Sequence, residues 1–232
     1  MHVAGGGYAE NLRVERPCKV LGAGSDHTRV QVDVTERGID VLSDDVEIAG
    51  LAVVGDWVED LQIPGLAGIR AAGVDNVVIR DNEVDLCGFI GIHAAYGQNV
   101  RIENNRVHRI LNAAYDGAHG IAVGFVENLT IRGNLLEQNL YREEGDLYLY
   151  FGGVGMLLGP VSGIIENNVA RDNGVGIGVM HSHDEITQMA IRGNRMEQNW
   201  SAGLAFSDAL VNELTDNEVV GNRGAGLSLG DI

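Results

Sequence analysis

One slot recurs down most of this chain, an asparagine that closes one short apolar strand and opens another. The copies read NVVIRDNEVDLCG, NVRIENNRVHRI, NLTIRGNLLEQN, GIIENNVARDN, MAIRGNRMEQN and ELTDNEVVGN. Asn82, Asn105, Asn134, Asn168, Asn194 and Asn217 fill the slot, and a second asparagine follows five residues later at Asn139, Asn173, Asn199 and Asn222. A unit this short cannot bury its apolar face alone, so neighbouring copies must stack. Asparagine suits the stacking corner because it tolerates a left-handed backbone and can hydrogen-bond both to backbone and to the next asparagine. Helical periodicity is absent from the copies, which excludes a helical solenoid.

A third strand precedes each copy, led by a glycine. The leading glycines are read as Gly38, Gly68, Gly91, Gly120, Gly155, Gly176, Gly203 and Gly226, 21 to 35 residues apart. Three short strands per step of about 22 residues, plus insertions, define a coil of parallel strands. The composition agrees: 33 glycines, 3 prolines and 5% aromatics suit many strands and tight turns and disfavour helices. Together with the opening stretch GYAENLRVERPCKVLGAGSDHTRV, the repeats resemble the right-handed parallel β-helix of pectate lyases and their relatives over nearly the whole chain. The resemblance implies an all-β, single-domain, right-handed solenoid of about eight coils with an asparagine ladder. It would span residues 1–232, with loop insertions near 56–66, 109–119 and 140–153.

A formal charge of -17 argues against nucleic acid and anionic membranes as partners. An anionic polymer would need a local basic patch or a bridging divalent cation. Lys19 is the only lysine, so a lysine-based mechanism is excluded. Cys18 and Cys87 form no disulfide framework and no metal-ligand pattern. No apolar run is long enough to span a membrane, and the first residues lack the layout of a secretory signal. The sequence as written is therefore expected in the cytoplasm, and secretion would require a leader already removed. The ends of a solenoid expose interior and unpaired backbone, so association, in its simplest form a homodimer, is expected to cover one of them.

Side chains alternate along a strand. The residues after the leading glycines (Ile39, Ile69, Ile92, Ile121, Met156, Ile177, Leu204 and Leu227) are expected to point inward. The next ones (Asp40, Arg70, His93, Ala122, Leu157, Gly178, Ala205 and Ser228) then point outward. Asp40, Arg70 and His93 become a short polar ladder on the outer face. In the resembling family, loops beside this sheet frame the substrate cleft. Here the insertions offer Tyr115, Asp116 and His119 on one edge, followed by the aromatic Tyr148 and Tyr150. The opposite edge offers Tyr96, Met180 and Asp208. His181, His183 and Asp184 form a His-x-His-Asp turn that could hold a metal, a weak signal because such pairs are frequent by chance.

These residue types fit β-elimination or C5-epimerisation of a uronate. Arg70 would pair with the carboxylate, His93 or His119 would act as base, and Tyr96 or Tyr115 as acid. Asp40, Asp116, Tyr148, Tyr150, Met180 and Asp208 would complete substrate binding, with no cofactor required and a divalent cation optional. In style the chain is similar to alginate C5-epimerases, although GIHAAYG lacks their aspartate–proline pair. Glycoside hydrolysis, which needs two flanking carboxyl groups such as Asp184 and Asp208, ranks lower. Two further readings stand beside this one. The apolar stretch of Ala95, Ala122, Leu157, Met180 and Ala205 would suit an intracellular isomerase or cyclase acting on a small metabolite. A non-catalytic binding or assembly module fits the same architecture.

Overall fold

The computed structural model describes residues 1–56, 66–110, 118–139, 152–180, 188–207 and 211–230, with the side chains of 156–158 and 180 outside that description. The described residues form three parallel sheets of nine, nine and eight strands, which wind into one solenoid. Each coil contributes one strand to each sheet. A representative coil runs from Ala67–Ala72 in sheet I to Val78–Arg80 in sheet II and Glu83–Asp85 in sheet III. The chain then returns to sheet I at Ile90–Gln98, which pairs in parallel with Ala67–Ala72. Among the described residues no helix is long and apolar enough to cross a membrane.

Register, repeated coil after coil, builds the core. In sheet I the paired positions Ile39, Ile69, Ile92, Ile121, Val154, Ile177 and Leu204 form one inward column, none more than 3% exposed. Burying each such side chain contributes about 1.5–3 kcal/mol. The glycine before each of them faces inward at a corner, where the next coil's backbone passes. A Cβ on Gly91 would lie 2.6 Å from the carbonyl oxygen of Gly120, and one on Gly120 2.8 Å from that of Gly153.

That column corrects one repeat boundary. The glycine in the corner is Gly153, and Gly155 lies in the outward column opposite Ala122. The register then skips a residue, pairing Val123 with Leu157, so Met156 is the extra residue of a bulge. Val154, 1% exposed, fills the core position that the sequence reading gave to Met156.

Between sheets II and III the chain turns in one left-handed residue, among them Asp81, Asn104 and Asn167, with φ of 53–55°. The asparagine that follows is buried and links coils. Asn82, Asn105, Asn134, Asn168 and Asn194 each donate from Nδ2 to the Oδ1 of the next rung, at 2.9–3.1 Å, and the ladder ends at Asn217, whose Nδ2 donates to the Ile191 carbonyl. Asn139, Asn173, Asn199 and Asn222 make a second ladder, whose side-chain oxygens accept backbone N–H groups of the preceding coil. A third, exposed ladder of Asp45, Asn76, Asn99 and Asn128 lies between sheets I and II, with contacts of 2.7–2.9 Å.

Asn168 shows what one rung does. Its amide donates to the Ile131 carbonyl at 3.0 Å and its Oδ1 accepts the Asn134 N–H at 2.9 Å. Asn168→Ala leaves both groups buried and unmatched, at about 1–3 kcal/mol each. Urea denaturation should show a loss of at least about 2 kcal/mol with an unchanged slope. Asn99→Gly, which keeps the left-handed corner of the exposed ladder, should cost less than about 1 kcal/mol.

Candidate active site on the glycine-led sheet

The outer faces of sheets II and III neutralise themselves. Across sheet II, Arg80, Glu103, Arg132, Glu166 and Arg192 alternate in register, with Arg192 meeting Glu166 at 2.8 Å. Across sheet III, Asp85, His108, Glu137, Arg171 and Glu197 alternate likewise, and Arg171 meets Glu137 at 2.6 Å. The paired arginines draw the carboxyls of Glu137 and Glu166 below their ordinary range, against the opposing effect of burial.

Sheet I is different. Its outward column runs Arg13, Asp40, Arg70, His93, Ala122 and Gly155. Asp40 is 5% exposed and holds two guanidinium groups, accepting from Arg70 Nη1 at 3.0 Å and from Arg37 Nη1 at 3.1 Å. Arg37 was not among the sequence candidates, because it precedes the glycine of its coil and no motif marks it. Two guanidiniums on one carboxylate leave one net positive charge in this cluster, on a chain that is otherwise strongly acidic.

His93 is the next rung. It lies outward between the fully buried Ile92 and Ala94. Partial burial, then repulsion from Arg70 and Arg37, pushes its pKa down to about 4, so its ring is neutral at pH 7. Its Nδ1 is buried with no hydrogen-bond partner among the described residues. His119 was read as belonging to an insertion, yet it opens the strand His119–Glu127, opposite Ile90. It is 4% exposed, and burial, then the neighbouring His93, lowers its pKa to about 4. Its ring covers Gly155, where an added Cβ would fall 2.0 Å from Nδ1. The bulge that brings Gly155 into this column therefore makes room for the imidazole.

Tyr96 stands at the rim, 65% exposed, with its ring stacked on Phe125. Ala95, Ala122 and Ala205, buried to 6% exposure or less, give the face a small-residue floor. Val34, Leu66 and Phe89, with Ile90 against them, form an apolar cluster apart from the main core. Cys87 is buried and its thiol is pushed up to about 12, so it offers no nucleophile. Tyr115, Asp116, Tyr148, Tyr150, His181, His183, Asp184 and Asp208 lie outside the described residues, as does the side chain of Met180. Among the described residues no three of His, Cys, Asp and Glu cluster as metal ligands would. The structure thus brings Asp40, Arg70, His93 and His119 together, adds Arg37, and sets Tyr96 apart at the edge.

The two depressed histidines have a measurable signature. Unfolded, each titrates near 6.5; folded, near 4. In between, the unfolded chain binds more protons, so their contribution is full above pH 6.5 and lost as pH falls toward 4. His93→Gln should lose less stability than the parent between pH 6.5 and 4.5 in urea titrations. Equal slopes would contradict a neutral, desolvated His93.

Comparison with solved structures finds the same architecture in longer chains. The enzymatically active domain of tailspike protein 2 from bacteriophage CBA120 superposes with a TM-score of 0.61 at 11% identity, over 92% of this chain and 38% of that one. The Dettilon tailspike protein gives 0.55 at 13% identity, over 99% and 52%. The catalytic domain of a GH87 alpha-1,3-glucanase in complex with tetrasaccharides gives 0.53 at 13%, over 96% and 52%. The chain therefore spans about half or less of these chains' length, and at such identities the likeness is one of fold. No curated protein sequence matches it. The right-handed β-helix family is matched over residues 37–146 and 67–231, most of the sequence, and the chain belongs to that family.

Proposed function

We propose that the chain is a carbohydrate-active enzyme that transfers protons on a uronate-containing saccharide, as a lyase or C5-epimerase. The observation that carries this reading is the Arg37–Asp40–Arg70 cluster beside a neutral His93. An acidic protein that accepts an anionic sugar needs one place where positive charge exceeds negative, and this cluster supplies it. Solved neighbours of the same fold include an alpha-1,3-glucanase with bound tetrasaccharides, which supports saccharide handling at the coarser level.

The chemistry follows from the arrangement. The uronate carboxylate pairs with the guanidinium donors of Arg70 not engaged by Asp40, which neutralises it and acidifies the adjacent C5 proton. The neutral His93 imidazole takes that proton. Free of substrate, the base is weak because burial and two arginines disfavour its charged form. A bound carboxylate offsets the arginine charge and moves the His93 pKa upward, so the base strengthens on binding. Expulsion of the O4 substituent then gives an unsaturated product, whereas return of a proton on the opposite face inverts C5. His119 is the nearest further proton carrier along the sheet, with Tyr115 the candidate from the insertion. So written, the reaction requires no cofactor.

Incubation with alginate and polygalacturonate oligomers is the test, read by ultraviolet absorbance for the unsaturated product and by NMR for C5 configuration. Turnover is expected on at least one uronate polymer, with His93→Ala lowering kcat by about 100-fold or more and Arg70→Gln acting mainly on KM. Hydrolysis of a neutral glucan without action on any uronate would overturn the assignment.

A further inference from the structure

We infer that Tyr96 and Phe125 form a sugar-stacking platform whose vacant position, over Gly73, receives a pyranose ring of the same saccharide chain. This rests on the saccharide reading above and adds a second subsite to it.

The two aromatic rings occupy equivalent positions in adjacent coils, since Ala95 pairs with Gly124 and Gly97 with Val126. Their centroids are 4.8 Å apart and their planes differ by 12°, which matches the spacing of neighbouring strands. Both residues hold a left-handed backbone, each with φ of 54°. Most other left-handed corners among the described residues hold Asn, Asp or Gly, where the conformation costs little, and the exceptions are Leu86, Arg109, Gln138 and Gln198. Tyr96 and Phe125 are the only aromatics among the described left-handed residues, and two in register in adjacent coils point to a use for the rings.

The stack is closed on one side and open on the other. Behind Phe125 lies Gly159, where an added Cβ would come within 2.3 Å of the ring. In front of Tyr96 the corresponding corner is Gly73, placed one coil away by its N–H donating to the Ala95 carbonyl at 2.8 Å. Gly73 is also left-handed, with φ of 73°, and no described atom lies within 4 Å of where its Cβ would be. A ring laid on Tyr96 at the same spacing would fill this opening. The electron-rich face of tyrosine favours the polarised C–H face of a pyranose there.

The opening belongs to the coil that carries Arg70, three residues along the strand and so roughly 10 Å away. That exceeds the width of one sugar ring. The stacked ring and the uronate held at Arg70 are thus different residues of one oligosaccharide. Tyr96 becomes a positioning residue, and its hydroxyl is dispensable.

Calorimetric titration of uronate and neutral oligosaccharides of increasing length tests this, with thermal melting alongside. Tyr96→Asn keeps a left-handed corner and should melt no lower than the parent, yet bind the longer oligomers about tenfold more weakly. Tyr96→Phe should stay within about twofold of the parent. Gly73→Asn, which projects a side chain into the opening without breaking the corner, should match Tyr96→Asn. Parent-like binding by Tyr96→Asn overturns the platform, and so does a loss with Tyr96→Phe as large as with Tyr96→Asn, which would make the hydroxyl the working group. If the parent binds only neutral oligosaccharides and Tyr96→Asn weakens them, the platform stands and the uronate assignment falls. If the parent binds neither class, both fall.

Discussion

Everything in this molecule depends on how a parallel coil turns its corners without stranding backbone polar groups inside. Buried N–H and C=O groups must be matched, and a corner cannot use the strand ladder to match them. The asparagine column solves this one rung at a time: each amide takes a backbone carbonyl of one coil and an amide oxygen of the next, and its own oxygen accepts from the coil before. Because each rung joins neighbours, the ladder also fixes register. A slip of one residue would exchange the inner and outer faces of every strand it touched. His93 faces outward for the same reason that Ile92 faces inward.

Register also decides where chemistry can sit. On sheets II and III it sets arginine against carboxylate in successive coils, and those charges are consumed by one another. These pairs join a half-exposed arginine to a buried carboxylate, and they leave few charges free to engage a ligand. On sheet I the alternation stops after Arg13, Asp40 and Arg70. From there the outer column passes to a neutral imidazole and continues over alanine and glycine. The result is a small cluster of mismatched charge above a floor of small side chains.

What could be read from the sequence follows the same division. The asparagine slots were legible because a buried amide that must meet its neighbour leaves a fixed position in every copy. The outward sense of Asp40, Arg70 and His93 was legible because strand alternation is strict. The copy at Gly153 was misread because GVGM and GMLL both satisfy a glycine-led pattern, and a bulge adds a residue that no local signal announces. Arg37 was missed because it reaches Asp40 from the residue before its own corner. The exposed ladder of Asn76, Asn99 and Asn128 was missed because its contacts cross coils through turns of differing sequence. Phe125 escaped notice because its meaning lies in pairing with Tyr96, 29 positions earlier.

That last pair shows how the solenoid's structural device becomes available to function. Coil spacing stacks amides where asparagine fills a corner, and it stacks rings where an aromatic does. The amide column is buried and each rung finds its partner, so it serves the fold alone. The aromatic column is exposed and ends at a glycine, so its last face meets no partner among the described residues. Holding Tyr96 and Phe125 in left-handed corners costs about 1–2 kcal/mol each, and the one stack between them offsets only about 0.5–1.5 kcal/mol. The chain thus maintains an open aromatic face at a net cost in stability. That face meets the coil of Arg70, and the two features together give the outer surface of sheet I a direction along which an extended ligand would lie.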